Sequence, residues 1–251
     1  MSSEAIQLSR VEKIYAGANP VTALADIDLT IADGEFAALL GPSGCGKSTL
    51  LNLLAGFEAT TRGELKVYGA PVTKPGPDRA VVFQEAALFP WLTVWQNVIF
   101  GPQVQGLPAA QYEARARETL KLVGLENFAQ HLPVQLSGGM RQRVGIARVL
   151  VMEPKLLLMD EPFGALDAQT RLTMQQLLLD VWQAVKKTVV FVTHDIDEAI
   201  LLADTIYVMS ARPGRVASRI PVELPRPRNL DTLTDVRFNE MKKRIMHEMR
   251  H

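Results

Sequence analysis

A glycine-rich segment at residues 41–49 has the composition and spacing of a phosphate-binding loop. Its sequence fits the pattern G-x-x-x-x-G-K-[ST] without a mismatch. Glycines permit positive φ angles and close backbone approach, so that successive N–H groups form an anion-binding concavity. A helix that begins directly after the loop adds the positive end of its dipole. The segment comprises Gly41, Pro42, Ser43, Gly44, Cys45, Gly46, Lys47, Ser48 and Thr49.

The last three residues of this loop carry the chemistry of a bound nucleoside triphosphate. Lys47 is placed to reach the β- and γ-phosphates, Ser48 offers a hydroxyl to Mg²⁺, and Thr49 adds a phosphate hydrogen bond. A glycine-rich turn formed by chance is the alternative, and a preceding candidate strand with a following candidate helix argues against it. Cys45 is interpreted as a small residue of the loop and not as a nucleophile, because no base is evident nearby.

Two adjacent carboxylates follow an apolar run much later in the chain. The run Leu156–Asp160 ends in Asp160 and is followed by Glu161. A carboxylate at the carboxyl end of a buried strand lies where ligands bind in α/β folds. Asp160 is therefore the candidate Mg²⁺ residue and Glu161 the candidate general base for an attacking water. An ordinary strand end before a proline turn is the alternative.

These groups require a framework of alternating strands and helices. Candidate buried strands alternate with helical patterns, which indicates an α/β domain with a mainly parallel sheet. Before Ile31 apolar residues alternate, as in a small antiparallel sheet, and between Glu85 and Glu153 strand signals fade into helical ones. The spacing predicts helices over Ala109–Val123 and Asp235–Met249. The candidate strands are Phe36–Leu40, Ala80–Gln84, Leu156–Asp160 and Val189–Thr193.

Composition narrows the class of protein. Lys plus Arg and Asp plus Glu each number 27, so the net charge is zero and a nucleic-acid partner is not expected. Apolar residues make up 47% and charged residues 22%, as in ordinary soluble proteins. The longest apolar runs have five residues, against the roughly 20 of a membrane span. No signal peptide is evident, so we expect a cytosolic protein that reaches a membrane only through a partner.

The string Leu136-Ser-Gly-Gly-Met140 resembles the LSGGQ signature of ATP-binding cassette (ABC) proteins, with Met140 in place of the usual Gln. Ser137 is a good N-cap, and Gly138 and Gly139 expose backbone N–H groups at a helix start, which makes a second anion site. Further positions match the family in order over residues 5–220. They are Tyr15 as the aromatic that stacks on adenine, Gln84 as the Q-loop glutamine that touches Mg²⁺ or water, Gly164–Asp167 as the D-loop and His194 as the switch histidine. The alternatives are an ordinary sheet tyrosine at 15 and a structural histidine at 194.

The resemblance implies a P-loop NTPase fold and an ATPase that acts as a homodimer. ATP on the Lys47 loop of one subunit would be closed by Ser137, Gly138 and Gly139 of the other. It also implies an ATP-binding domain over residues 5–225, a helical subdomain over about 86–153 and a C-terminal helical extension over 226–251. Lys47, Gln84, Glu161 and His194 would take part in catalysis, with Ser48, Gln84 and Asp160 on Mg²⁺.

A single cassette without a membrane span is typical of importers of this family. Leu88–Asn97, with two tryptophans, is the expected docking region for transmembrane permease subunits, which an external solute-binding protein would serve. The alternative is that its aromatic residues belong to the core of the helical subdomain. The subunit is then expected on the cytoplasmic face of the membrane. The strings FQEAALFPWLTVWQNV, EPFGALDAQTR, HDIDEAILLADTIYVMSARPGRV and LPRPR are most similar to the nitrate/taurine/alkanesulfonate importer subfamily. The alternatives are a P-loop kinase of small molecules and a non-transport ABC-type ATP switch.

Overall fold

Two β-sheets organise residues 4–249, the part of the chain that the computed structural model describes. The first is a four-stranded antiparallel sheet of order β2-β1-β4-β5. Alternate residues of its long strands, such as Ile6, Leu8, Leu29 and Ile31, point into the core. The predicted N-terminal antiparallel sheet is therefore confirmed. Its strands are β1 (Glu4–Tyr15), β2 (Val21–Ala32), β4 (Arg62–Val67) and β5 (Ala70–Pro71).

The second sheet has six strands in the order β10-β9-β3-β8-β7-β6, and all neighbours are parallel except β10 and β9. The central strands are buried along their whole length, as in sheets that helices cover on both faces. This confirms the predicted mainly parallel α/β core. The strands are β3 (Phe36–Leu40), β6 (Arg79–Val82), β7 (Leu156–Asp160), β8 (Thr188–Thr193), β9 (Thr205–Met209) and β10 (Val216–Pro221).

The strand predicted over residues 80–84 is displaced in the structure. β6 ends at Val82, and Phe83 and Gln84 lie outside the sheet. The neighbouring strand β7 pairs with β6 from Leu156 as far as Met159, which lies opposite Val82. No residue of β7 is therefore paired with Phe83 or Gln84. Gln84 therefore lies on a loop at the carboxyl end of the sheet.

Residues 4–249 contain seven α-helices, and three of them lie between β6 and β7, as the fading strand signals indicate. The helix expected over 109–123 is interrupted at Tyr112, whose φ of −128° is not helical, so a short turn precedes α3. The helices are α1 (Lys47–Ala55), α2 (Val94–Val104), α3 (Glu113–Leu122), α4 (Gly138–Leu150), α5 (Ala168–Val185), α6 (Ile196–Leu202) and α7 (Val236–Glu248). Within residues 4–249 none of them has the length and apolar character needed to cross a membrane.

The C-terminal segment packs against α6. Phe238 and Ile245 of α7, which lies within the helix predicted over Asp235–Met249, are buried. Arg228 is also buried and donates hydrogen bonds to the carbonyls of Ile200 and Ala203, at 3.0 and 2.6 Å. Burial lowers the pKa of its guanidinium to about 10. The guanidinium thus supplies hydrogen-bond donors to carbonyls at the C-terminal end of α6. The N-terminal end of this helix lies beside the functional site. Residues 250 and 251 of the expected C-terminal extension lie outside the described residues.

Candidate functional site

The loop at 41–46 joins β3 to α1, in the strand–loop–helix order expected of a phosphate-binding loop. Gly46 has a φ of 96°, and a Cβ there would lie 2.7 Å from Cδ2 of Leu24. Gly44 also has a positive φ, and a Cβ on Gly41 would lie 2.8 Å from the carbonyl oxygen of Met209. Both the backbone angles and the surrounding atoms therefore require glycine at these positions.

The ammonium group of Lys47 lies inside the curve of this loop. The side chain is 4% exposed, and Nζ donates hydrogen bonds to the carbonyls of Gly41 and Pro42, at 2.8 and 3.0 Å. Oε1 of Glu161 lies 3.9 Å from Nζ. Cys45 is buried with its sulfur 3.9 Å from Nζ, so it fills the loop from inside, as expected for a small residue there. One buried positive charge is thus held at the centre of the loop.

Ser48 and Asp160 meet at the carboxyl end of β7. Oγ of Ser48 donates a hydrogen bond of 3.0 Å to Oδ1 of Asp160. Burial raises the pKa of Asp160, the hydrogen bond from Ser48 opposes this, and the nearby charge of Glu161 adds to it. Two oxygen donors 112 positions apart in the chain therefore lie side by side at the mouth of the loop.

Glu161 has an unusual backbone conformation that aims its side chain. Its φ is 41°, in the left-handed region that non-glycine residues rarely adopt, and its N–H donates to the carbonyl of Val192 at 3.0 Å. Oε2 lies 2.9 Å from Nδ1 of His194, which follows the adjacent strand β8. Strained residues of this kind cluster at active sites, where the surrounding structure maintains them. The turn after β7 thus directs one carboxylate toward both Lys47 and His194.

A buried carboxylate behind His194 was not identified from the sequence. Glu198 accepts hydrogen bonds from Oγ1 of Thr193, at 2.7 Å, and from Nε2 of Gln175, at 3.2 Å. Burial is the main cause that raises its pKa. Nε of Arg171 lies 3.9 Å from Glu198, while its Nη2 donates to the carbonyl of Leu166. This network joins the segment 164–167 to the residue that precedes His194, and no local sequence pattern distinguishes its members from ordinary helix residues.

Tyr15 and the phosphate-binding loop line one cavity of about 400 Å³. The Tyr15 hydroxyl donates to Oε1 of Glu58 at 2.9 Å, and Nζ of Lys13 lies 5.0 Å from the ring centroid. Tyr15 is 39% exposed and lines the cavity, so part of the residue is accessible from it. Glu161 and Arg212 line the same cavity. Arg212 was also not identified from the sequence: it lies within the string HDIDEAILLADTIYVMSARPGRV, but its residue type there indicated no role.

Gln84 and Gly138 line a different cavity, of about 570 Å³, together with Leu88 and Leu166. Within one chain, the structure therefore does not bring Gln84 or the helix start at residues 137–139 to the cavity of Lys47. A Cβ on Gly164 would lie 3.0 Å from Nε2 of Gln84, which places this amide against the 164–167 segment.

The helix start at residues 137–139 opens α4. Its third residue, Gly139, is buried, and a Cβ there would lie 2.6 Å from Cγ2 of Thr170. Oγ of Ser137 accepts a hydrogen bond from the N–H of Met140 at 3.2 Å, so Ser137 is the N-cap that its residue type predicts. Ser137 and Gly138 are exposed, whereas Met140 is partly buried and packs against the core. The thioether in place of the usual glutamine therefore contributes to packing, and the helix start remains accessible.

The segment at 88–97 has an exposed and a buried part. Trp91 is 72% exposed and lies beside Phe89, whose ring also packs against Phe100 with a centroid separation of 4.4 Å. Asn97 is buried, and its amide donates to the carbonyls of Phe89 and Leu92. Asn97 thus shapes the segment, and the aromatic residues form its accessible surface.

The chain is similar in sequence to known transport ATP-binding proteins. The family model described as ABC transporter matches residues 24–164. A taurine import ATP-binding protein, TauB, of Burkholderia pseudomallei is 52% identical over 218 residues, which are 86% of this chain and 84% of the relative.

Two solved structures are also similar. The dimeric ATP-binding cassette MJ0796 bound to ADP and phosphate is 35% identical, with a TM-score of 0.74 over 88% of this chain and 100% of that one. The protein cbiO1 of Clostridium perfringens, described as part of the transporter complex cbiONQ, is 29% identical, with a TM-score of 0.80 over 99% of this chain and 100% of that one.

Proposed function

The chain belongs to the ABC transporter family, whose ATPase subunits couple ATP hydrolysis to transport, and on that premise we propose that it powers an importer of the nitrate, sulfonate and taurine class. The observation that carries the proposal is the geometry around Glu161, which lies between the Lys47 ammonium and the His194 imidazole at the mouth of the phosphate-binding loop. The identity of 52% to a taurine import protein supports the substrate class.

The loop binds the phosphates of ATP, and the Lys47 ammonium neutralises part of their charge. The carbonyls of Gly41 and Pro42 hold this ammonium at the loop, so it is oriented before the nucleotide arrives. The Tyr15 ring, anchored through its hydroxyl to Glu58, offers its accessible part to the adenine. Stacking of a base on an aromatic ring contributes about 1–3 kcal/mol.

Ser48 and Asp160 are the residues that would hold Mg²⁺. A hydroxyl and a carboxylate 3.0 Å apart are hard oxygen donors, and Mg²⁺ typically takes one or two protein carboxylates together with waters and phosphates. When bound, the ion neutralises charge on the phosphates. Gln84, which lines a different cavity, is not brought to this pair of oxygens within one chain.

Glu161 acts as the general base that accepts a proton from the attacking water. General base catalysis needs the carboxylate at a defined place, and the left-handed backbone at Glu161 with the His194 contact supplies it. The hydrogen bond from Thr193 to Glu198 fixes the residue that precedes His194, so the imidazole stays directed toward the site of the terminal phosphate. Hydrolysis then proceeds by in-line attack of this water.

A second copy of the chain completes the site. The exposed helix start at Ser137 and Gly138 offers N–H groups to phosphate but lies outside the cavity of Lys47. In a head-to-tail homodimer each copy places this helix start over the ATP of the other. Two structures of the similar cassette MJ0796 are described as dimeric.

The exposed aromatic surface around Trp91 docks the permease. Large aromatic residues at accessible positions suit the buried centre of a protein interface. ATP closes the two cassettes and product release reopens them, so the permease responds to a difference in affinity between the two states. The subunit is thereby attached to the cytoplasmic face of the membrane, and an external binding protein delivers the solute.

The proposal is tested by isolating the complex from detergent-solubilised membranes with the tagged chain. We expect a permease to copurify, and we expect reconstituted complex to hydrolyse ATP faster with a sulfonate-loaded binding protein. Trp91→Ala should reduce copurification, whereas Val236→Ala, a change at a similarly exposed apolar residue of α7, should not. Copurified ribosomes or DNA would instead support the ABC-type switch, and phosphate transfer from ATP to a metabolite would support the kinase.

A further inference from the structure

Arg212 lies at the rim of the nucleotide cavity on the turn between β9 and β10. It is exposed and lines the cavity together with Gly44, Lys47 and Tyr15. It lies within the string HDIDEAILLADTIYVMSARPGRV, but the resemblance assigned it no role.

The turn is fastened to two walls of the cavity through Gly214. Its N–H donates to the carbonyl of Ala23 at 2.9 Å, and its carbonyl accepts from the N–H of Ala25 at 3.0 Å. A Cβ on Gly214 would lie 2.1 Å from the carbonyl oxygen of Cys45, so the backbone of the turn touches the phosphate-binding loop itself. Arg212 therefore projects from a support whose position relative to the loop is set by β2 and by Cys45.

The side chain is itself anchored to the loop. Nε of Arg212 donates to the carbonyl of Gly44 at 3.3 Å, and Nη2 lies 3.0 Å from the place of a Cβ on Gly44. A guanidinium has five N–H donors in a planar fork, so this bond leaves most of them available. The remaining donors lie beside the segment whose backbone forms the phosphate concavity.

The charge of Arg212 is not neutralised within the chain as described. The other charged residues that line the cavity are Lys47 and Glu161, and these two lie 3.9 Å from each other. No carboxylate of residues 4–249 forms an ion pair with Arg212, whereas Arg215, three positions later, lies 3.9 Å from Asp26. The rim of the cavity thus carries an anchored cation that faces the space of an anionic ligand.

We propose that Arg212 is a second cationic ligand for the phosphate chain of the nucleotide, acting from the rim while Lys47 acts from the floor of the loop. Guanidinium groups bind phosphate oxygens through paired, charge-assisted hydrogen bonds, which a lysine at the same place reproduces only in part. The contact contributes to affinity and takes no part in proton transfer. The inference rests on the nucleotide site of the proposed function.

Equilibrium titration of the purified chain with ATP, in a series of salt concentrations, tests this role. We expect Arg212→Gln to raise the Kd for ATP about tenfold, as for loss of one hydrogen bond to a charged group. Arg212→Lys should lie between this variant and the wild type. Arg215→Gln, which removes a neighbouring exposed arginine outside the cavity, should stay within about twofold of the wild type.

The salt dependence of the Kd for ATP distinguishes two causes of weaker binding: the loss of a contact with phosphate and a distortion of the phosphate-binding loop. Loss of a cation that faces phosphate makes the rise of Kd with salt shallower, because less charge attraction remains to be screened. Equal affinities of Arg212→Gln and the wild type would refute the inference, and so would weaker binding with unchanged salt dependence. Wild-type protein that fails to bind ATP would refute the proposed function as well.

Discussion

Replacement of Glu161 by Gln removes one charge from the centre of the site and keeps its shape. The amide can still contact Nδ1 of His194, now 2.9 Å from the carboxylate, so the left-handed turn need not rearrange. An amide cannot accept the proton of the attacking water. General acid–base catalysis contributes about 10²–10⁴-fold to rate, so we expect turnover to fall by about this factor.

The same change acts on ATP binding in the opposite direction. At 3.9 Å from Nζ of Lys47, the Glu161 carboxylate has a gross attraction of about 4 kcal/mol for the ammonium at an effective dielectric constant of about 20. Desolvation and partial exposure of Glu161 reduce the net value. Removal of the carboxylate frees the ammonium for phosphate and removes repulsion of the γ-phosphate. ATP should therefore bind Glu161→Gln at least as tightly as the wild type, and the ATP-bound dimer should accumulate.

Single-turnover phosphate release, ATP titration and size-exclusion chromatography with ATP measure these three effects. Glu240→Gln, which neutralises an exposed carboxylate on α7, is the matched control and should behave as the wild type. A Glu161→Gln protein that releases phosphate at more than half the wild-type rate would remove Glu161 from the role of base. Weakened ATP binding would show that the carboxylate organises the loop instead.

Three further substitutions test the supports of the site. Gly46→Ala should weaken ATP binding and reduce the free energy of unfolding in urea by about 1–3 kcal/mol, because its Cβ would collide with Leu24 at a positive φ. Arg228→Met should cost about 1–3 kcal/mol in the same measurement, because the carbonyls of Ile200 and Ala203 lose a buried donor, while ATP affinity is unchanged. Asp160→Asn should abolish Mg²⁺-dependent hydrolysis and, without Mg²⁺, raise the melting temperature at neutral pH.

The sign of the Asp160 effect follows from the raised pKa of this carboxyl in the folded chain. Folding then favours the protonated acid, so its contribution to stability is complete below the unfolded pKa and is lost as pH rises through the folded value. The advantage of Asp160→Asn should therefore vanish in acid, and an equal advantage at all pH values would contradict this explanation. Unchanged unfolding of Gly46→Ala or Arg228→Met would show that these contacts relax at little cost.

The features that are local in sequence were predictable. A phosphate-binding loop needs a short run of glycines between a strand and a helix, and both elements are evident from neighbouring residues. Ser137 caps α4 because its hydroxyl bonds to an N–H only three positions away. Strand and helix ends were less exact, as at Gln84 and Tyr112, because the end of a ladder depends on the partner strand and a single non-helical φ divides a helix.

The sequence alone, through the order of its motifs, determined the family and the α/β core. It also identified which residues supply the chemical groups of the site: Lys47, Ser48, Asp160, Glu161 and His194. Their distances were decided by strand order, since β3, β7 and β8 become neighbours although more than a hundred residues separate the first from the other two. The same strand pairing placed Glu161, with its left-handed backbone conformation, at the end of β7. The pairing of β9 with β3 brought Arg212, which follows β9, to the rim of the loop. Such contacts join residues remote in the chain, so no local periodicity records them, and they exist only once the sheet has closed.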